Sequence, residues 1–286
     1  MFSHVQDLQF EAKPDGPDPA FARRFQEVLG GKWGEMTVAM QYLYQGWNTR
    51  LPGKYKDMLL DIGTEELAHV EMIVTMIDRL LDAAPLSLDD AKTDTLKAQY
   101  AHSNPQHPIH NGNAASPMDS MGNPWNGLFV TASGNLYADF HLNATAEMQG
   151  RLQVARLWHM TDDPGVKELL KFLITRDHMH QMQWLRAIEE LQADGLDGVP
   201  VPEAFDLENE IDEFAALYVH ASDGDKATEG RWAQGQSFDG RHQVTVQETP
   251  EAYGSRPTLP PGDPRLYSTP PMDAKGMIQT IKEKLT

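Results

Sequence analysis

The sequence predicts an all-α protein: a ferritin-like four-helix bundle with a long crossover between helices two and three and a mostly irregular C-terminal extension. Three observations carry this: four long helical patterns, unequal connections between them, and a change of composition past Gly195. The first pattern runs from Pro19 to Asn48, with Asp18 as cap and Pro19 in the first turn. The second runs from Lys54 to Asp82, opened by LPGK and closed by AAP. The third covers Ser133 to Met160. The fourth opens at TDDPG, where Asp162 or Asp163 can cap and Pro164 takes the first turn, and ends at Ala193.

Short turns join the first pattern to the second and the third to the fourth, so each pair is an antiparallel hairpin. Roughly 50 residues separate the second from the third, far beyond an ordinary loop, so this segment is expected to cover something or to contact a neighbour. One long crossover between two hairpins is the ferritin-like order. The domain division follows: residues 1–195 as the bundle and 196–286 as the extension. Within the extension RPTLPPGDPRLYSTPPM excludes regular structure, while DAKGMIQTIKEKLT suggests a terminal helix. Scattered aromatics, Trp232, Phe238 and Tyr267, suggest a strap laid over a surface rather than a free tail.

Composition excludes several functions. A net charge of −18 over 286 residues repels nucleic acid and anionic membrane surfaces. The absence of cysteine excludes disulfides, thiolate zinc sites and iron–sulfur clusters, so a metal would be held by carboxylates, imidazoles or backbone, which suits manganese, iron or zinc. MFSHVQDLQF lacks the features of a signal peptide, and no apolar run reaches the ~18 residues of a membrane span. A cytoplasmic protein without nucleic-acid or membrane partners is expected.

Each helix offers groups that can share one buried site. The first has Glu35, with Tyr42 seven residues later on nearly the same face. The second has Glu66 and His69, three apart and one turn above each other. The third has Glu147; the fourth has Asp177 and His180, again three apart. Two lone carboxylates and two carboxylate-x-x-His pairs are nearly the set by which ferritin-like proteins hold two metal ions. His178 lies about 200° from His180 and His141 about 240° from Glu147, so both fall off the site face. Glu65 and Glu71 are displaced from the Glu66 face and read as solvated. A single E-x-x-H is usually an exposed helix surface; four coordinated occurrences in bundle order favour a metal site. Glycines 30, 31 and 34 would each cost about 1 kcal/mol in a helix interior, and either close packing or a bend beside Glu35 accounts for them.

On GGKWGEMTVAMQYLYQ, IGTEELAHVEM, TASGNLYADF and EMQGRLQVARLWHMTDDPGVKELLKFLITRDHMHQMQW, the sequence resembles the manganese catalases over roughly residues 1 to 225. The resemblance implies disproportionation of hydrogen peroxide to dioxygen and water at two manganese ions cycling between Mn(II)2 and Mn(III)2. It assigns Glu35, Glu66 and His69 to one ion and Glu147 and His180 to the other, with Glu66 bridging and Tyr42 hydrogen-bonded to a ligand. Asp177 stands where relatives often carry a glutamate proton acceptor; its shorter arm fits an acid–base group beyond the ligands. Ala146 stands where some members have a basic residue. A homohexamer is also implied, with residues 196–286 wrapping neighbouring subunits. So is one structural calcium at Asp57, Asp61, Ser222 and the Gly224 carbonyl, with His220 in place of an amide-bearing ligand. On spacing alone Asp57 and Asp61 read equally well as a solvated acidic face beside Lys54 and Lys56. The competing functions are a di-iron oxidase and a non-catalytic metal-binding protein.

Overall fold

Side-chain caps start three of the bundle's helices. In the computed structural model, which describes residues 5–82, 111–112, 114–198, 207–219 and 234–247, Asp18 Oδ1 accepts the Phe21 N–H at 2.9 Å. Helix α1 (Pro19–Gly30) follows, with proline in its first turn. The later caps are Asn135, which accepts from Ala138 at 3.2 Å, and Asp163, which accepts from Val166 at 2.9 Å. They open α4 (Leu136–Trp158) and α5 (Pro164–Ala193). Between the hairpins' first partners lie α2 (Glu35–Asn48) and α3 (Gly53–Leu80). Asp163, not Asp162, is the fourth-pattern cap.

The first helical pattern is not continuous. It breaks into α1 and α2 at residues 31–34, and the glycines show why. A Cβ at Gly30 would sit 2.5 Å from the Met118 carbonyl oxygen, and one at Gly34 would sit 2.7 Å from that of Val28. Both readings of the glycines therefore hold: the backbone packs closely against the crossover and the helix breaks. The break makes Glu35 the first residue of α2, at the positive end of its dipole.

The most extensive packing joins α2 to α3 and α4 to α5, with α2 on α4 and α3 on α5 closing the bundle. Two apolar clusters fill it. One gathers Phe21, Phe25 and Leu29 with Met72, Ile73, Ile77, Val154, Leu169 and Leu173. The other gathers Tyr42, Tyr55, Leu59, Phe140, Trp184, Ile188 and Leu191.

The described end of the crossover lies on this bundle and is hydrogen-bonded to it. Buried Gln26 donates to the Ser116 carbonyl at 2.6 Å and to that of Met118 at 2.9 Å, and accepts from Ser116 N–H at 3.1 Å. The Trp125 indole N–H donates to Thr37 Oγ1 at 3.0 Å. Asn143 Nδ2 donates to Gln45 Oε1 at 2.6 Å, and Thr131 N–H donates to Gln41 Oε1 at 3.1 Å. Residues 83–110 lie outside the described part.

The chain divides into two compact units, Met1–Phe205 and Asp206–Thr286. The second, taken by itself, holds the short helix α6 (Asp212–Ala215) and a three-stranded sheet in the order β1-β3-β2. Strand β1 (Leu217–Val219) runs parallel to β3 (Gln243–Gln247), and β2 (Gly235–Gln236) runs antiparallel to it. The sequence reading gave this sheet no place; alternating Val244, Thr245 and Val246 was its signal. Trp232, Tyr267, the proline-rich segment and the expected terminal helix lie outside the described residues. Among the described residues no helix is long and apolar enough to cross a membrane.

Candidate metal centre

Along every bundle helix a polar group falls between the two apolar clusters. Glu35 opens α2, Glu66 and His69 share a face of α3, Glu147 comes from α4, and Asp177 and His180 share a face of α5. All six are buried, and Glu66, His69 and His180 are 0 % exposed.

Glu66 is at the middle. Its Oε2 lies 2.6 Å from His69 Nδ1, and its Oε1 lies 2.7 Å from His180 Nδ1. The two imidazoles stack at 5.8 Å between centroids. Glu35 Oε2 approaches His69 Nδ1 at 3.8 Å, and Glu147 Oε1 approaches His180 Nδ1 at 3.9 Å. Two clusters result, Glu35–Glu66–His69 and Glu66–Glu147–His180, each with its ligand atoms within 4.8 Å of one another.

These atoms are close without being hydrogen-bonded. Both Glu66 oxygens, both ring nitrogens of His69, His180 Nδ1 and Asp177 Oδ1 are buried with no hydrogen bond of acceptable direction. One such group costs about 1–3 kcal/mol. So many, converging from α3 and α5, fit a cation-binding donor set rather than a packing accident. Carboxylate oxygens with imidazole nitrogens suit manganese, iron or zinc.

The charges are mutually perturbed. Burial, then the Glu66 charge, raises the Glu35 carboxyl to about 7. The same two causes raise Glu147 to about 8. Burial opposes ionisation of Glu66 too, but the charges of His69 and His180 outweigh it and hold that carboxyl below its ordinary value. His180 shows the reverse balance: burial lowers it, yet Glu66 and Glu65 raise it to about 10. Asp177 is pushed well up by burial and then by Glu35, Glu147 and Glu66. Protons and cations would compete for these carboxylates.

Several neighbours hold this set in place. Tyr42 donates its hydroxyl to Glu147 Oε1 at 2.6 Å, and the Trp184 indole N–H reaches the same oxygen at 3.2 Å. Tyr42 was visible from its spacing to Glu35. Trp184 was missed, although it lies four residues after His180 and thus on the site face.

Glu65 requires a correction. Instead of a solvated side chain, it accepts from Arg176 Nε at 2.6 Å and Nη2 at 3.0 Å, and pairs with His180 Nε2 at 3.0 Å. A residue adjacent to Glu66 is rotated about 100° around α3, which turns it toward α5 rather than out to water. Glu71 is likewise half-buried. His141 and His178 are exposed, as helix phase requires. Asp57 and Asp61 are exposed on α3, whereas Ser222 and Gly224 lie outside the described residues, as does His220.

Fold and site together define a ferritin-like protein with two adjoining carboxylate–histidine clusters that share one glutamate. The family described as manganese containing catalase matches residues 1–284. A manganese catalase of Bacillus subtilis is 50% identical over 273 residues, covering 95% of this chain and 99% of its own. One from Lactiplantibacillus plantarum is 48% identical over 271 residues, covering 94% and 99%. The crystal structure of KatB, a manganese catalase from Anabaena, superposes with a TM-score of 0.67 at 26% identity, covering 87% of this chain and 100% of that one. The chain belongs to the manganese containing catalases.

Proposed function

We infer that Glu35, Glu66 and His69 hold one manganese ion, that Glu66, Glu147 and His180 hold a second, and that the protein disproportionates hydrogen peroxide. The observation that carries this is Glu66, whose two oxygens face two different histidines inside two ligand clusters. A shared carboxylate keeps two ions adjacent, which a two-electron reaction needs. The manganese pair supplies the electron exchange, between Mn(II)2 and Mn(III)2. Over one cycle, one peroxide takes two electrons and two protons to give two waters, and a second releases two electrons and two protons to give dioxygen.

The chain's own work is positioning and proton handling. Tyr42 and Trp184 fix Glu147 by donating to the same oxygen, Oε1. Asp177 is assigned as the acid–base group: its Oδ1 is buried and without a partner, and burial with the neighbouring glutamates raises its carboxyl well above the ordinary value. Gly150 on α4 gives the carboxylate room, since a Cβ there would stand 3.3 Å from Asp177 Oδ2.

Family membership favours this over a di-iron oxidase or a metal store. Metal analysis of protein produced with ample manganese, combined with dioxygen evolution from peroxide, tests it. Two manganese per chain with dioxygen release is expected; iron alone, or metal without turnover, contradicts it. Self-association, as a hexamer by resemblance, belongs to the same reading. Exposed Tyr44, Trp47, Met148, Leu152, Met179 and Met182 on the bundle helices support it, and solution mass measurement tests it. One calcium at Asp57 and Asp61 with Ser222 and Gly224 is a subsidiary proposal, tested by calcium titration.

A further inference from the structure

We propose that Glu65 is a positioning residue that grips both metal-facing histidines from behind and so couples the two manganese sites. The inference rests on the two-ion reading above. Glu65 and Glu66 are neighbours in sequence, yet they address opposite edges of the same two rings. Glu66 meets each ring at Nδ1, at 2.6 and 2.7 Å. Glu65 meets each at Nε2: His180 at 3.0 Å and His69 at 3.7 Å.

With a cation held between Glu66 and the rings, each Nδ1 would present its lone pair to it, which leaves the ring hydrogen on the Nε2 that faces Glu65. A carboxylate behind a ligating imidazole also raises its basicity and locks its ring orientation. Here one outer carboxylate bonds the His180 ring and stands near the His69 ring, across two helices.

Glu65 is itself held. Arg176, one residue before Asp177 on α5, makes a two-pronged contact at 2.6 and 3.0 Å. Gln9, from the segment ahead of α1, donates to Oε1 at 2.9 Å. The side chain is 20% exposed, so this ion pair is sheltered rather than fully solvated. Fork-to-fork geometry fixes the carboxylate plane and hence the His180 ring bonded to it. The 3.7 Å distance to His69 exceeds a hydrogen bond, so the hold is unequal: His180 is bonded and His69 is attracted.

Glu65→Gln keeps the shape and removes the charge. Equilibrium dialysis with spin-resonance detection of manganese should show affinity reduced by about 10- to 100-fold, with both ions affected and the His180 ion more so. At a fixed redox poise, the variant should hold a smaller fraction of Mn(III) than wild type, because less basic imidazoles stabilise the higher state less. Helicity and a cooperative melt should persist in the metal-free variant. Arg176→Gln, which leaves Glu65 in place but unclamped, should show the same changes in smaller measure.

Wild-type affinity and wild-type poise in Glu65→Gln would overturn the proposal. So would an affinity loss accompanied by collapse of the metal-free fold, which marks a merely structural residue. Wild-type protein run in parallel separates the two levels. If it binds two manganese and Glu65→Gln matches it, this inference alone fails; if it does not bind two, the underlying reading fails.

Discussion

The two apolar ends of the bundle and the polar belt between them are built on the same four helical stretches, yet they are stabilised in opposite ways. At the ends, Leu173, Ile77 and Phe25 on one side and Leu59, Phe140 and Ile188 on the other bury apolar surface against each other. Each such side chain contributes about 1.5–3 kcal/mol when removed from water. In the belt, Glu35, Glu66, Glu147 and Asp177 crowd negative charge into a region that is 5 % exposed or less. Desolvation there opposes folding, and only protons or cations can offset it. The ends hold the fold together, and the belt uses the rigidity of that fold to keep ligands converged.

The contrast breaks most completely at its centre. Glu66→Ala should lose both manganese ions and all turnover, because each cluster loses the same residue, while the apolar ends keep the helices. Manganese analysis and circular dichroism on one sample check this. Retention of full manganese would place the metal elsewhere.

Asp177→Asn should retain manganese while turnover falls by roughly 10²- to 10⁴-fold, the usual worth of a positioned acid–base group. Loss of manganese instead would make Asp177 a ligand. The complementary change at an end, Leu173→Ala, should cost about 2–5 kcal/mol of stability with manganese content preserved. Chemical denaturation of the manganese-loaded protein measures it.

The belt also predicts a pH dependence that the ends cannot produce. In the metal-free fold Glu35 and Glu147 are raised from 4.5 to about 7 and about 8, and His180 from 6.5 to about 10. Groups raised in this way stabilise the fold below their unfolded values, and that stability is lost as pH climbs through the folded ones. The melting midpoint of the metal-free protein should therefore fall between about pH 5 and 8. Manganese affinity should rise over the same range as fewer protons must be displaced. Calorimetry with and without manganese checks both, and a metal-free midpoint that rises with pH would contradict the assignment. The smallest effect is expected from Tyr42→Phe. It removes one hydrogen bond to Glu147, worth about 1 kcal/mol, while Trp184 keeps a second donor on the same oxygen. A several-fold loss of turnover is the expected reading.

The convergence of the polar belt was legible in the sequence because helix phase is local: residues three apart share a face whatever packs against them. Glu35, Glu66, His69, Glu147 and His180 followed from that rule together with bundle order. The break before Glu35 was only half legible. Its glycines were visible, but the Met118 backbone that excludes a Cβ at Gly30 comes from the crossover, far along the chain. Glu65 was misread for a related reason. Phase told where it leaves α3 but not that Arg176 and His180 of α5 stand on that side. Trp184, four residues after His180, shares the site face by the same helix phase, but an indole carries no ligand signal of its own. The small sheet of the second unit was hidden by proline- and glycine-rich flanks that outweighed five alternating residues.

Anomalous diffraction at the manganese edge tests the central claim most directly. Crystals of the manganese-loaded protein should show two peaks per chain flanking the Glu66 carboxylate, one beside Glu35 and His69 and the other beside Glu147 and His180. A single peak, or peaks away from Glu66, would contradict a dinuclear centre bridged by that residue.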